Sequence, residues 1–189
     1  CADYGFQQHI IKSLKPDTGR SVSLWPHGVL FRDSEASMRK KMIEEDLVDA
    51  VIGLGKNLFY NSSMESCLLV CNMNKPKERK GKVIFIDGKD EIRLERSTAY
   101  LKDEHIKRMA DAYWNYKDED GFAAVVKSKY LLTDNNGNLS IQLYVKAEST
   151  NSAHSVQDLL TTIHDNRNSL EVGYNKLNSK LKELGIEIS

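Results

Sequence analysis

Two adjacent aromatic rings, Phe59 and Tyr60, lie in the block Asn57-Leu58-Phe59-Tyr60-Asn61. A histidine, His27, lies in Trp25-Pro26-His27-Gly28-Val29-Leu30-Phe31-Arg32. These residues offer chemistry by type and setting. Neighbouring rings in a loop between apolar runs present a face for stacking; the plainer alternative leaves one ring in the core and the other on the surface. His27 follows a strand-ending proline, so Pro26, His27 and Gly28 are expected at the carboxyl edge of a sheet, where ligands bind in open α/β folds. The plainer alternative is a turn histidine with a satisfied hydrogen bond. His9 has no second ligand at metal spacing and reads as a packing or hydrogen-bonding residue, so no metal is expected. Asp134-Asn135-Asn136-Gly137-Asn138 has a misplaced glycine for a calcium loop and no closing glutamate, and reads as a hairpin turn. The basic run of residues 75–82 lacks an interleaved aromatic and reads as a solvated loop rather than a phosphate contact.

The elements that must position these residues alternate. Phe6, Ile10 and Leu14 recur at helical spacing and stop at Lys15-Pro16-Asp17-Thr18-Gly19. Val22 and Leu24 lead into Trp25 as a buried strand halted by Pro26. Asp33 or Ser34 can cap a helix whose inner face is Met38, Met42 and Ile43. Residues 47–54 (LVDAVIGL) and 67–71 (CLLVC) are continuous apolar runs, as in strands buried on both faces. The helix between the first two strands implies a parallel crossover. The loop of residues 55–65 is too short for another, so the third strand should return antiparallel. A strand at 83–86 follows, then an amphipathic helix through Ile106, Met109, Ala110 and Tyr113. Leu139, Ile141, Leu143 and Val145 alternate as in a strand with one buried face. Residues 148–155 read as a linker. Val156, Leu160, Ile163, Arg167, Leu170, Tyr174, Leu177, Leu181 and Leu184 fall at alternating four- and three-residue steps, a heptad seam that needs a partner helix or must fold back on its own domain.

The chain has 189 residues, 40% hydrophobic and 29% charged, with a formal net charge of zero. That is a soluble, globular profile without a global electrostatic attraction to nucleic acid. No apolar run spans a bilayer and no secretory signal opens the chain, so a cytoplasmic location and no membrane are expected. Cys67 and Cys71 lie in one strand-like run, roughly 13 Å apart by strand rise, and read as reduced, packed thiols. The start at Cys1 rather than Met fits a cleaved or truncated product.

Ala2-Asp3-Tyr4-Gly5-Phe6-Gln7-Gln8-His9, Leu14-Lys15-Pro16, Pro26-His27-Gly28-Val29-Leu30-Phe31-Arg32, Arg39-Lys40, Val51-Ile52-Gly53-Leu54, Asn57-Leu58-Phe59-Tyr60-Asn61 and Phe85-Ile86-Asp87 occur in that order. The series, with Asn138-Leu139-Ser140-Ile141-Gln142-Leu143-Tyr144-Val145 later, resembles the modification (M) subunit of type I restriction–modification systems, an N6-adenine DNA methyltransferase. It departs from the family where Gly55 or Lys56, and Gln142, replace common prolines. The resemblance implies the second half of a Rossmann-like S-adenosylmethionine-dependent sheet, with parallel strands, an antiparallel terminal hairpin and a long C-terminal helix. It implies residues 1–73 as the later half of the methyltransferase domain, 74–150 as its α/β extension and 151–189 as a docking helix.

The family's glycine loop for S-adenosylmethionine has no counterpart here. Asn74-Lys75-Pro76 lacks the second proline and the aromatic of the catalytic Asn-Pro-Pro-aromatic motif, expected upstream of Ala2. No catalytic residue and no cofactor are therefore expected for this chain alone. What the resemblance leaves is Phe59 and Tyr60 to stack on an extruded adenine, whose amino group is unreachable inside a helix. The implied partners are DNA, a specificity subunit and a restriction subunit; in isolation the seam should self-associate or fold back on the body. The readings in competition are a fragment of the methyltransferase, a non-catalytic assembly module docking through its terminal helix, and an independent DNA-binding domain, which zero net charge disfavours.

Overall fold

A computed structural model describes residues 2–60, 62–96 and 98–146, together with 164, 167, 170, 171, 174, 176 and 180. The chain divides into two compact units, Cys1–Glu148 and Ser149–Ser189. Of the second unit, the described residues are helical. The proposed seam positions Val156, Leu160, Ile163, Leu177, Leu181 and Leu184, and the proposed linker at 148–155, lie outside the described residues.

The first unit runs α1 (Asp3–Lys12), β1 (Arg20–Pro26), α2 (Ala36–Glu44), β2 (Val48–Leu54), β3 (Ser66–Asn72), β4 (Lys82–Gly88), β5 (Arg93–Glu95), β6 (Thr98–Tyr100), α3 (Asp103–Asn115), β7 (Ala123–Lys127) and α4 (Ser128–Thr133). The main sheet has the order β1-β3-β2-β4-β7, and β5 and β6 form a separate two-stranded ribbon. β3 lies antiparallel between β1 and β2, β2 and β4 are parallel, and β7 is antiparallel on β4. The returning third strand is therefore as expected, and β1 and β2 do point the same way, with β3 inserted between them.

The continuous apolar runs explain the centre of the sheet: every residue of β2 is buried. Val51, Leu69 and Phe85 pack on one face with Tyr4, Met42, Ile43, Leu131 and Leu139. Ala50, Ile52, Ile84 and Ile86 pack on the other with Met109 and Ala112 of α3. Helices therefore cover both faces, and each large apolar side chain so buried contributes roughly 1.5–3 kcal/mol.

Four expectations need correction. β1 is an edge strand, not a buried one: Val22 and Leu24 are exposed, while Ser23 and Trp25 turn inward. In α1 the buried residues are Tyr4 and Gln7, and Phe6 is exposed. The amide of Gln7 can be buried because its Oε1 accepts from Trp25 Nε1 (3.0 Å) and Ser23 Oγ (2.9 Å). Residues 139–145 form no strand and no terminal hairpin. Ile141–Leu143 is a short 3-10 turn beneath the sheet, Tyr144 stacks on Phe85 at 4.4 Å, and the antiparallel edge is β7 instead. The loop before it, with Asn136 and Gly137 at positive φ, joins α4 to that turn rather than two strands.

The basic run is the fourth. Lys75 is buried, and its Nζ donates to Asp46 Oδ1 and to the Lys82 carbonyl, both at 2.7 Å. Arg79 is buried as well. Both sit at the amino end of β4 as internal cations, whereas Lys77, Glu78 and Lys80 of the same run are exposed as expected.

Cys67 and Cys71 are buried, and burial pushes each thiol up from 9.0 to about 12. The neutral form is thus favoured in the fold: the associated stability is complete below pH 9 and is lost as pH rises towards 12. In a Cys1→Ser background, neither thiol should react with a maleimide at pH 8 until denaturant is added. Rapid native-state labelling would show that the strand opens locally.

Candidate functional site

Register builds the site. Pro26 pairs with Ser66, Ser66 with Leu54, and Leu54 with Gly88. The carboxyl ends of β1, β2 and β4 therefore stand in one row across the sheet, with neighbours about 4.8 Å apart. His27, the loop of residues 55–65 and the segment after Gly88 all leave from this row.

His27 opens a 3-10 turn, His27–Leu30. Its Nε2 lies 3.0 Å from the Ser66 carbonyl. A carbonyl can only accept, so in this contact Nε2 is the donor. Nδ1 then faces Glu65 at 3.9 Å, and Glu65 faces Lys56 at 3.6 Å. His27 thus fixes the end of β1 to the start of β3, which is the plainer of its two expected roles.

The turn is held from beneath by Arg39, which takes the inner position expected for Met38. Arg39 is among the largest fully buried side chains, whereas Met38 is exposed. Arg39 Nε donates to Gly137 O (3.1 Å), and its Nη1 donates to Val29 O (3.3 Å) and Arg32 O (2.7 Å). Tyr4 also donates to Val29 O, at 3.1 Å. Arg32 in turn pairs with Asp3 at 2.8 Å and Glu35 at 3.2 Å. A Cβ on Gly28 would meet the Arg32 guanidinium at 2.6 Å, so the glycine leaves room for this pairing. The spacing of Arg39, Met42 and Ile43 on one helix face was the available signal.

Asn57 takes a left-handed φ of 60°, a conformation asparagine tolerates better than most residues. Its carbonyl accepts from Ala99 N at 3.0 Å, and Ser62 N closes a turn on Phe59 O at 3.1 Å. This turn lifts the rings away from the sheet: Phe59 is 38% exposed and Tyr60 97%. A Cβ on Gly55 would collide with the Lys89 carbonyl and meet Ile92 at 2.8 Å, so the aromatic loop and the segment after β4 pack main chain to main chain.

The row also borders a cleft of about 70 Å³ lined by His27, Glu65, Asp87, Ser140 and Gln142 among others. Cofactor pockets are about 300–1,000 Å³, so the cleft does not fit a nucleoside-sized cofactor. Its wall carries Glu65 and Asp87, and Lys89, also on the wall, pairs with Asp87 at 3.0 Å. Among the described residues, no group of three His, Cys, Asp or Glu side chains is arranged to hold a metal ion. Phe59 and Tyr60 are exposed aromatic side chains at this edge.

Residues 1–153 match the N-6 DNA Methylase family. The chain is 39% identical over 122 residues to the type I restriction enzyme MjaVIII methylase subunit of Methanocaldococcus jannaschii, covering 62% of this chain and 21% of that protein. It is 28% identical over 178 residues to the MpnII methylase subunit of Mycoplasma pneumoniae, covering 90% of this chain and 32% of that protein. Among solved structures it is similar to the type I restriction-modification methyltransferase subunit of Streptococcus thermophilus, with a TM-score of 0.72 and 34% identity over 77% of this chain and 31% of that one. The EcoKI M protein shares the fold, with a TM-score of 0.61 at 18% identity, over 99% of this chain and 45% of that one. The chain thus spans a fifth to a third of the length of these methylase subunit relatives.

Proposed function

This chain belongs to the N-6 DNA methylase family, and we propose that it supplies the target-base face of an adenine-specific type I DNA methyltransferase subunit. S-adenosylmethionine and the Asn-Pro-Pro-aromatic motif would come from the remainder of the subunit, beside the open edge of β1. In this reading the described sheet is the later half of a Rossmann-like methyltransferase sheet. Among the described residues β1 has no strand on its outer side, which fits such a continuation.

The observation that carries the proposal is the solvent-facing Tyr60 ring on the carboxyl edge of the sheet. A flipped adenine needs an aromatic face, and in this reading Tyr60 provides one, with the less exposed Phe59 next to it in sequence. Stacking on such a ring is worth about 1–3 kcal/mol per base. In the complete subunit, Tyr60→Ala should therefore weaken methyl transfer roughly 5- to 150-fold. Its melting temperature should stay unchanged, because the ring has almost no contacts to lose. Phe59→Ala should lower both activity and stability. Unaltered methyl transfer by Tyr60→Ala would remove Tyr60 from the site.

A second role, docking of the DNA-specificity subunit, is supported by Leu170 and Tyr174. They are helical, four residues apart, and 74% and 56% exposed. Paired substitutions Leu170→Asp and Tyr174→Asp would force charges into a helix–helix contact at a cost of several kcal/mol. Co-purification with the specificity subunit should be lost while circular dichroism is retained. Assembly at unchanged affinity would exclude this helix as the docking element.

A further inference from the structure

We propose that the β5–β6 ribbon is a DNA-contacting arm, in which Arg93 and Arg96 hold backbone phosphates beside the adenine that the aromatic loop receives. The inference rests on the stacking role of Phe59 and Tyr60 for its location, but its chemistry is separate.

The ribbon follows β4, so it leaves from the same carboxyl row as the aromatic loop. Ala99 of β6 is buried and donates to the Asn57 carbonyl, fixing the base of the ribbon to that loop. The register pairs Glu95 with Thr98, which leaves Arg96 in a two-residue tip, at a positive φ of 56°. Such tips favour Asn or Gly, and an arginine there sends a long cation beyond the strands. Arg93 and Arg96 are both exposed, and among the described residues no carboxylate pairs with either. Two of the nearby acids are engaged: Glu95 accepts from Tyr100 at 3.1 Å and Glu91 pairs with Arg108 at 2.7 Å.

Leu94 and Tyr100 are exposed as well, so the ribbon has little apolar cover of its own. A lone two-stranded ribbon is marginally stable in water, and the major groove admits one. Duplex DNA therefore supplies both the anions and the surface this ribbon lacks. The zero net charge of the chain is compatible with this, because Arg96 at the tip and Arg93 at the far end of β5 are local cations along one ribbon.

The test uses the complete methylase subunit in complex with its partner subunits and a labelled mixed-sequence duplex carrying one mismatched 2-aminopurine. Anisotropy is read across a salt series, and 2-aminopurine fluorescence reports base extrusion. Each phosphate contact contributes about 0.9 to the slope of log affinity against log salt. Arg93→Gln with Arg96→Gln should reduce that slope by about 1.8, and Arg→Lys at both positions should restore most of it. At saturating DNA the fluorescence should be unchanged. Tyr60→Ala should do the reverse, altering fluorescence and leaving the slope. An unchanged slope in the Gln pair overturns the arm, whatever Tyr60 does. A reduced slope with a silent Tyr60→Ala upholds the arm and overturns the stacking role alone.

Discussion

Arg79→Ala should destabilise the first unit by about 3–5 kcal/mol, the cost of leaving a buried charge without its partner. Asp49 sits at a bulge in β2 and is fully buried. One of its oxygens, Oδ1, has no hydrogen-bond partner among the described residues. The other, Oδ2, accepts from Tyr113 at 2.7 Å and lies 3.7 Å from Arg79 Nη1. Arg79 also donates to the Tyr113 and Trp114 carbonyls at the end of α3, both at 3.1 Å, and lies over the Tyr116 ring at 4.4 Å. One guanidinium thus neutralises a buried carboxylate, caps the negative end of a helix and stacks on aromatic rings. Lysine offers neither the planar stack nor the fork, so Arg79→Lys should recover little. Burial, with the Asp49 bond and charge adding to it, pushes the Tyr113 phenol up to about 12. Urea titration of Arg79→Ala, Asp49→Asn and the double variant checks this. The double variant should lose less than the sum of the singles. A loss below about 1 kcal/mol for Arg79→Ala would class the pair with exposed ion pairs.

This network shows where sequence reading stopped. The run LVDAVIGL was legible as a strand buried on both faces, but its aspartate was passed over. Its partners lie 30 and 64 residues away, and periodicity carries no information at that separation. The bulge at Asp49 lets Val48 and Val51 share one face while Ala50 and Ile52 take the other. Strict alternation would not allow that. Residues 139–145 misled for a related reason. Alternating apolar residues fit a strand only if a sheet edge is free to receive them, and here they fill the underside of the sheet, with Leu143 left exposed. Val22 and Leu24 led to a buried strand because apolar content was taken for burial. On an edge strand the outward face stays open.

The placement of the candidate residues was legible, but not their detailed geometry. Pro26 stopping a strand put His27 at the carboxyl edge, and the short loop to β3 put Phe59 and Tyr60 beside it. The greater exposure of Tyr60 depends on a left-handed Asn57 and a turn closed by Ser62, which the sequence does not spell out. The support from Arg39 was passed over because an arginine usually reads as surface, although its spacing with Met42 and Ile43 placed it on the inner face. The ribbon went unread because strands of three residues leave almost no periodic signal.

In the proposed reading this chain receives the base, and the rest of a methylase subunit supplies the cofactor site and the catalytic motif. The most direct measurement is transfer of labelled methyl from S-adenosylmethionine to adenine in duplex DNA. It should be made with the purified chain and again after co-expression with the segment carrying the glycine loop and the Asn-Pro-Pro-aromatic motif. The chain alone should transfer no methyl and should show no heat of cofactor binding by titration. The reconstituted subunit should methylate adenine N6, and Tyr60→Ala should weaken that transfer. Methyl transfer by the isolated chain, or a reconstituted subunit indifferent to Tyr60, would contradict the account.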